Sequence, residues 1–394
     1  MKKLTVLCTA LSLLIGLTSC NGENKKYVKV GLLHSLTGAM ALSEIPVRDA
    51  ELLAVEEINK AGGVLGRQIK VVQEDGKSNP VKFGEKAKKL LTEDKVATIF
   101  GCWTSDSRKA VKPIVEEYYS LLWYPVQYEG MEASPNIMYT GASPNQQFVP
   151  AIDWCLENLG KRVFLIGSDY LFPRNTNKII KTQLKHKNAQ LAGEIYVSMD
   201  KTDFSSIIKE IKKASPDVII NTINGNSNIS FFKQLKQAGL TSKNLPVMSF
   251  SIGEGEVDYI GESNLAGHLV AWNYFETIDS KENQDFVSKY KEAYGSERSI
   301  GDPLEAAYIA VHLWALACEK AGTFETEPVR IAAKGLSFQA PEGQVSIEGS
   351  NQHLNKTVRI GKIQDDGQIT QIWASPTTVR PDPYLSTYYW AKGL

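Results

Sequence analysis

The side chains best placed for chemistry fall in six short segments: His34 to Gly38, Cys102 to Ser107, Tyr124 to Gly130, Ser168 to Pro173, Asn224 to Asn228 and Ser251 to Gly255. Among them Trp103, Tyr124, Tyr128, Tyr170 and Phe172 supply flat apolar surfaces. Thr104, Ser105, Gln127, Asn224 and Ser251 supply hydrogen-bond donors and acceptors. Apolar walls with a few placed polar groups are what a small-molecule pocket needs. Taken singly, the same aromatics are ordinary core material. Their recurrence directly after short apolar runs is what points to a pocket.

Bond-making chemistry has less support. The chain contains no GxGxxG, GxxxxGK[ST], HExxH or GxSxG. Its five histidines, His34, His186, His268, His312 and His353, lack metal-ligand spacing. A Ser-His-Asp set is recognised by geometry, which sequence does not supply. Past Cys20, the cysteines Cys102, Cys155 and Cys318 form an odd, widely spaced set with no CxxC pair, which suits neither a disulfide framework nor a metal. Lysine plus arginine and aspartate plus glutamate both number 44, so the basic field of a nucleic-acid binder is missing. No catalytic residue, metal or cofactor is assigned.

The elements that must position the six segments are short apolar strands alternating with amphipathic helices, the sequence form of βαβ units and a parallel sheet. Val28 to Leu33 reads as the first strand, and Pro46 suits the first position of a helix ended by Gly62-Gly63. Asn79-Pro80 opens the next helix. The alternation restarts beyond Asn145 and runs through Val163 to Gly167, Val218 to Thr222, Val247 to Ser251 and Leu269 to Trp272. Two helices follow, near Asn283 to Tyr294 and Leu304 to Ala321, before a strand-rich end. Two doubly wound halves are expected, and such sheets bind ligands outside the carboxyl ends of their strands. The six segments lie there. Helix Ser107 to Tyr118 is placed to point its N-terminal amides into the same cleft.

The first twenty residues read as an export signal. Lys2 and Lys3 precede an apolar run, Leu4 to Leu17, that closes in Leu17-Thr18-Ser19-Cys20. The run is shorter than the ~20 apolar residues of a bilayer span. Its end resembles the bacterial lipobox, which implies that Cys20 becomes an acylated N-terminus followed by a polar tether, residues 21–26. An ordinary signal with an incidental cysteine is the plainer alternative. Each buried CH₂ of an acyl chain contributes ~0.8 kcal/mol, so several chains would anchor the protein durably. The expected location is extracytoplasmic, held to the cell membrane through lipid only. About 370 residues then remain, more than the ~250–300 at which one core stops growing.

Longer motifs carry a family resemblance. Val30 to Gly38, Ala54 to Asn59 and Gly62 to Gly66 resemble the opening of branched-chain-amino-acid-type solute receptors. Gly101 to Ser105, Arg108 to Val111, Leu122 to Gly130, Gly167 to Tyr170, Pro144 to Gln147, Ala340 to Gly343, Asn351 to His353 and Arg380 to Tyr384 are similar to the amide and urea branch of that family, above all to the urea receptors of ABC transporters. The resemblance implies a type I periplasmic binding protein fold: two doubly wound α/β lobes joined by a three-strand hinge. One lobe would take residues 27–144 and 274–344, the other 145–273 and 345–394. It also implies that Trp103, Ser105, Tyr124 and Tyr170 face ligand. Two departures remove a hydroxyl: Phe172 and Val126 stand where the amide sensors have tyrosine and threonine.

An amino-acid receptor must hold an ammonium and a carboxylate, both expensive to bury unpaired. Urea is planar and neutral. Trp103 and Tyr124 suit its faces, Ser105 and backbone amides its oxygen, and Gln127, Glu254 and Asp302 its N–H groups. Glu254 and Asp302 read equally well as caps or solvated charges, Asp302 before Pro303 having the form of an N-cap. The expected function is capture of urea or a close small amide by lobe closure, with delivery to an ABC permease. Receptors for short-chain amides or branched-chain amino acids are the alternatives. A cytoplasmic amide sensor of the same fold would need no export signal.

Overall fold

The computed structural model describes residues 26–394. The export signal, Cys20 and residues 21–25 lie outside them. Among the described residues no helix is long and apolar enough to cross a membrane.

Valine, isoleucine and leucine runs form strands buried on both faces, as parallel sheets require. In the first lobe β1 (Tyr27–His34), α1 (Ala41–Lys60), β2 (Gln68–Asp75), α2 (Pro80–Thr92), β3 (Ile99–Gly101), α3 (Ser105–Glu117), β4 (Leu122–Tyr124) and β5 (Ile137–Tyr139) follow in order. Their sheet runs β2-β1-β3-β4-β5, all parallel, with Leu32 beside Phe100 and Leu122 beside Ile137. The second lobe comprises α4 (Phe148–Asn158), β6 (Arg162–Ser168), α5 (Leu171–His186), β7 (Gln190–Val197), α6 (Ser205–Ala214), β8 (Val218–Thr222), α7 (Ser227–Gln237), β9 (Val247–Ser249), α8 (Glu254–Ile260), α9 (Glu262–Leu265) and β10 (Leu269–Trp272). Its parallel core has the order β7-β6-β8-β9-β10. Strand order therefore reverses at β1/β3 in one lobe and at β6/β8 in the other, and crevices open at such points.

The chain then returns. The helices α10 (Lys281–Tyr294), α11 (Asp302–Ala321) and α12 (Thr326–Ala333) and the small antiparallel sheet of β11 (Ser337–Ala340), β12 (Gly343–Ile347) and β13 (Leu354–Asn355) join the first lobe's core. Strands β14 (Arg359–Ile363) and β15 (Ile369–Ala374) extend the second sheet antiparallel beyond β10. Val345, Ile347 and Leu354 pack in the first core, so the last crossing lies near Lys356, later than the 344/345 boundary read from sequence.

Local signals are realised unevenly. Asn79 caps α2, its side chain accepting from Val81 N at 2.9 Å. Pro46 does not open its helix: α1 begins at Ala41. The ring deprives only the Leu42 carbonyl of a partner, and Leu42 is exposed, so water can replace the lost bond. Asp302 is not an N-cap either. Gly301 holds that position, while the Asp302 carboxylate accepts from Asn273 N and Tyr274 N at 2.8 and 3.0 Å.

Those last bonds belong to the hinge. The lobes are joined near residues 140–147, 273–280 and 355–359. Buried Asn273 donates its carboxamide to Gln146 O at 3.0 Å and Thr357 O at 2.9 Å, one partner on each of the other two crossings. Lys356 donates to Thr140 O at 2.9 Å and pairs with Glu342 at 2.8 Å, both residues buried. Arg359 donates to the carbonyls of Asn273 and Glu342. Burial and the neighbouring Glu342 push the Glu305 carboxyl well above its usual range.

Removing Lys356 strands buried carboxylates. Lys356→Met is expected to lower stability by about 3–5 kcal/mol in guanidinium unfolding; a loss under about 1 kcal/mol would refute the pairing. His34, at the end of β1, is a second buried ion. Burial opposes its charge, but Glu51 at 2.9 Å and Glu44 outweigh this and raise its pKa to about 9. A raised folded-state pKa stabilises fully below the unfolded value of about 6.5 and loses that contribution as pH rises through 9. The stability difference between wild type and His34→Gln should shrink by on the order of 3 kcal/mol between pH 6 and 10. A pH-independent difference would exclude the charged histidine.

Candidate ligand-binding site

At the end of β3 the chain makes a turn that only glycine fits. Gly101 has φ +133°, and a Cβ there would lie 2.1 Å from Leu33 O. The turn delivers Trp103 and starts α3 at the crevice. Thr104 is the N-cap, its hydroxyl accepting from Ser107 N at 3.1 Å. Ser105 and Arg108, three residues apart, share one face of α3.

A buried ionic network lies beneath this face. Arg108 donates from Nη2 to Glu129 Oε1 at 3.0 Å, from Nε to Glu132 Oε1 at 2.8 Å and from Nη1 to Ser105 Oγ at 3.2 Å. Its guanidinium stacks over the Tyr124 and Tyr128 rings, 4.9 and 4.6 Å from their centroids. Ser105 in turn donates its hydroxyl to Glu129 Oε2 at 2.5 Å. Burial opposes ionisation of Glu132, but Arg108 and Lys109 overcome it and hold the carboxyl at about 2. Burial likewise opposes the charge on Arg108, and Glu129 outweighs it. Tyr128 hydrogen-bonds Glu132 O and His353 Nε2, both at 2.6 Å, and His353 stacks on Tyr139 at 4.1 Å.

The other predicted residues are placed as follows. Tyr124 is fully buried and donates to Trp103 O at 2.6 Å. Tyr170 reaches over from the second lobe, partly buried, at the start of α5. Burial raises its phenol pKa, and Tyr124, Glu129 and Asp106 of the first lobe add to the shift, so the facing loops lie close. Phe172 is buried behind it, ring centroids 6.4 Å apart. Ser251 accepts from Asn224 Nδ2 at 3.1 Å, and Asn224 N bonds Ser168 Oγ at 3.0 Å, a polar ridge across the second switch point. Gln127 donates to Phe250 O at 2.9 Å, and its buried Oε1 has no partner among the described residues. Glu254 accepts from Glu276 N at 2.9 Å with Oε1, and its Oε2 likewise has none among the described residues. Burial raises its pKa well above the usual range.

Trp103, Ser105 and Tyr124 therefore lie together at the start of α3, and Tyr170 stands at the start of α5 in the second lobe. Asp302 is engaged by the hinge backbone, and Thr104 by its own helix. The sequence reading did not assign Arg108, Glu129 or Glu132. The available signal was the spacing Ser105-x-x-Arg108 opposite Glu129-x-x-Glu132, which means little until the two segments are known to face each other. Chemically, the arrangement gathers aromatic rings and buried carboxylates around the start of α3.

Lysine at position 108 keeps the charge but cannot fork to three acceptors. Arg108→Lys should cost about 1–3 kcal/mol in chemical unfolding; full retention of stability would show that the charge alone suffices.

Comparison with known proteins agrees with this architecture. A family model described as periplasmic binding protein domain matches residues 28–389. Leu/Ile/Val-binding protein homolog 6 of Brucella melitensis is 24% identical over 352 residues, covering 86% of this chain and 89% of the relative. A solute-binding protein of an ABC transporter from R. palustris, solved with 4-hydroxybenzoate, superposes with TM-score 0.81 at 23% identity, covering 90% of this chain and 98% of that one. The leucine binding protein LivK of Thermotoga maritima gives TM-score 0.77 at 21% identity, covering 88% and 98%. The fold is the type I periplasmic binding fold, shared with transporter binding proteins rather than enzymes. With two doubly wound lobes, three crossings and a match over nearly the whole described length, the chain belongs to the periplasmic binding protein domain family.

Proposed function

We propose that this chain is the extracytoplasmic receptor of an ABC transporter, tethered through a lipidated Cys20, and that it captures urea or a close small amide between its lobes. The observation that carries the choice of solute is the direction of the Ser105 hydroxyl, which donates to Glu129. A serine that receives a ligand carboxylate must donate to it. Here that proton is already committed, and a carboxylate guest would meet Glu129 and the partly buried Asp106. Burial, then Glu129, raises the Asp106 pKa, as expected where negative charge is already present.

A neutral guest rich in N–H groups meets the opposite situation. Glu129 accepts its hydrogens, and Trp103 and Tyr124 flank its faces. All three residues are buried, where a hydrogen bond counts for more than in water. Leucine's carboxylate could take the first amides of α3 but would lie beside Glu129 and Asp106, which speaks against the amino-acid alternative suggested by the names of relatives. Closure follows from differential affinity: a guest touching both lobes only when they meet favours the closed form.

Calorimetry with urea, formamide, acetamide, leucine and 4-hydroxybenzoate tests the reading. Urea or a small amide should bind, and Trp103→Ala should weaken it at least about tenfold, the equivalent of 1.4 kcal/mol, with the thermal midpoint unchanged. Binding of leucine or the benzoate with urea silent would overturn the assignment.

A further inference from the structure

Away from both the hinge and the aromatic site, the lobes meet through one flank of the cleft. Ser43, in the first turn of α1, donates its hydroxyl to Glu256 Oε1 of α8 at 3.0 Å. The other carboxylate oxygen, Oε2, accepts from Gly253 N at 3.0 Å, which holds the acceptor in place at the start of its own helix. Beside this bond, Gly225 faces the first lobe: a Cβ added there would lie 3.8 Å from Ala39 O and 4.0 Å from Met40 Sδ. Met199 of the second lobe packs against the first lobe's core.

The strap that leads into α1 is itself held rigidly. Leu36 N and Thr37 Oγ1 both donate to Asp75, at 2.9 and 2.7 Å, and Met40 N donates to Ser78 Oγ at 3.1 Å. Gly38 makes the bend with φ +92°, where a Cβ would lie 2.6 Å from Ser78 Oγ. Ser43 is thus presented by a strap anchored to β2 and the turn after it, and Glu256 by a capped helix. Both groups are positioned before they meet.

We propose that Ser43 and Glu256 are positioning residues that latch the closed clamp and set how long a solute stays, without touching it. The proposal rests on the clamp reading but on no particular solute. A bond made only when the lobes meet stabilises the closed form alone. It therefore multiplies the affinity of every solute by one common factor. The factor falls on release rather than capture, because the encounter takes place with the lobes apart.

Stopped-flow binding to the full receptor, with urea and formamide as probes, tests this. Ser43→Ala should raise koff about tenfold or more, as expected for one hydrogen bond to a charged acceptor, by the same factor for both probes, with kon changed far less. Glu256→Gln, which keeps one carbonyl acceptor in place of two, should raise koff less than Glu256→Ala, and Glu256→Ala should raise it at least as much as Ser43→Ala. X-ray scattering of ligand-free protein should give a larger radius of gyration for Ser43→Ala than for wild type. If wild type binds neither probe, the assigned solute fails, and the scattering comparison still decides the latch. Unchanged koff, factors that differ between probes, or an unchanged ligand-free radius would each overturn it.

Discussion

Any movement of one lobe against the other has to pass through Asn273. Its carboxamide, amide and carbonyl reach Gln146, Thr357, Asp302 and Arg359, so one buried residue joins all three strands of the hinge. Backbone groups inside a buried crossing must find partners. Here each crossing finds them on another, which makes the three behave as one strap. A single tied strap can bend about one axis but resists sliding and twisting. Under the proposed closure, the loops at the two switch points would therefore meet in a repeatable register.

Buried charge serves the same end twice. At the hinge Lys356 and Arg359 lie among Glu305 and Glu342, and under the site Arg108 lies among Glu129 and Glu132. Desolvation makes such clusters poor sources of net stability, and their best-attested use is to select one arrangement over others. That is what each does here. The hinge cluster links Thr140 to Lys356 across two crossings. The Arg108 cluster orients the Ser105 hydroxyl toward the buried Glu129 carboxylate.

The fold was legible because its signals are local. Apolar strands of buried parallel type, the Asn79-Pro80 start and the glycine after α7 each depend on nearby residues. Pro46 and Asp302 misled for the complementary reason. A proline is tolerated inside α1 because of which carbonyl it deprives, and Asp302 serves backbone amides about thirty residues away, recorded at Asn273 and Tyr274. The site was legible in part. Trp103, Tyr124 and Tyr170 stand immediately after or at the ends of strands, where the topology places ligands. Arg108 and Glu129 pair across a sequence separation of 21 residues and two elements, and nothing in either segment alone indicates that pairing.

Solute choice and solute retention are then physically separable. Under the proposed function, choice lies in a few atoms, the Glu129 carboxylate and the aromatic faces, whose chemistry distinguishes a neutral amide from a carboxylate. Under the proposed latch, retention lies in the energy of the closed form, set by the Asn273 strap and the contact between α1 and α8. A substitution in the first group changes the ranking of solutes. One in the second group scales them all together.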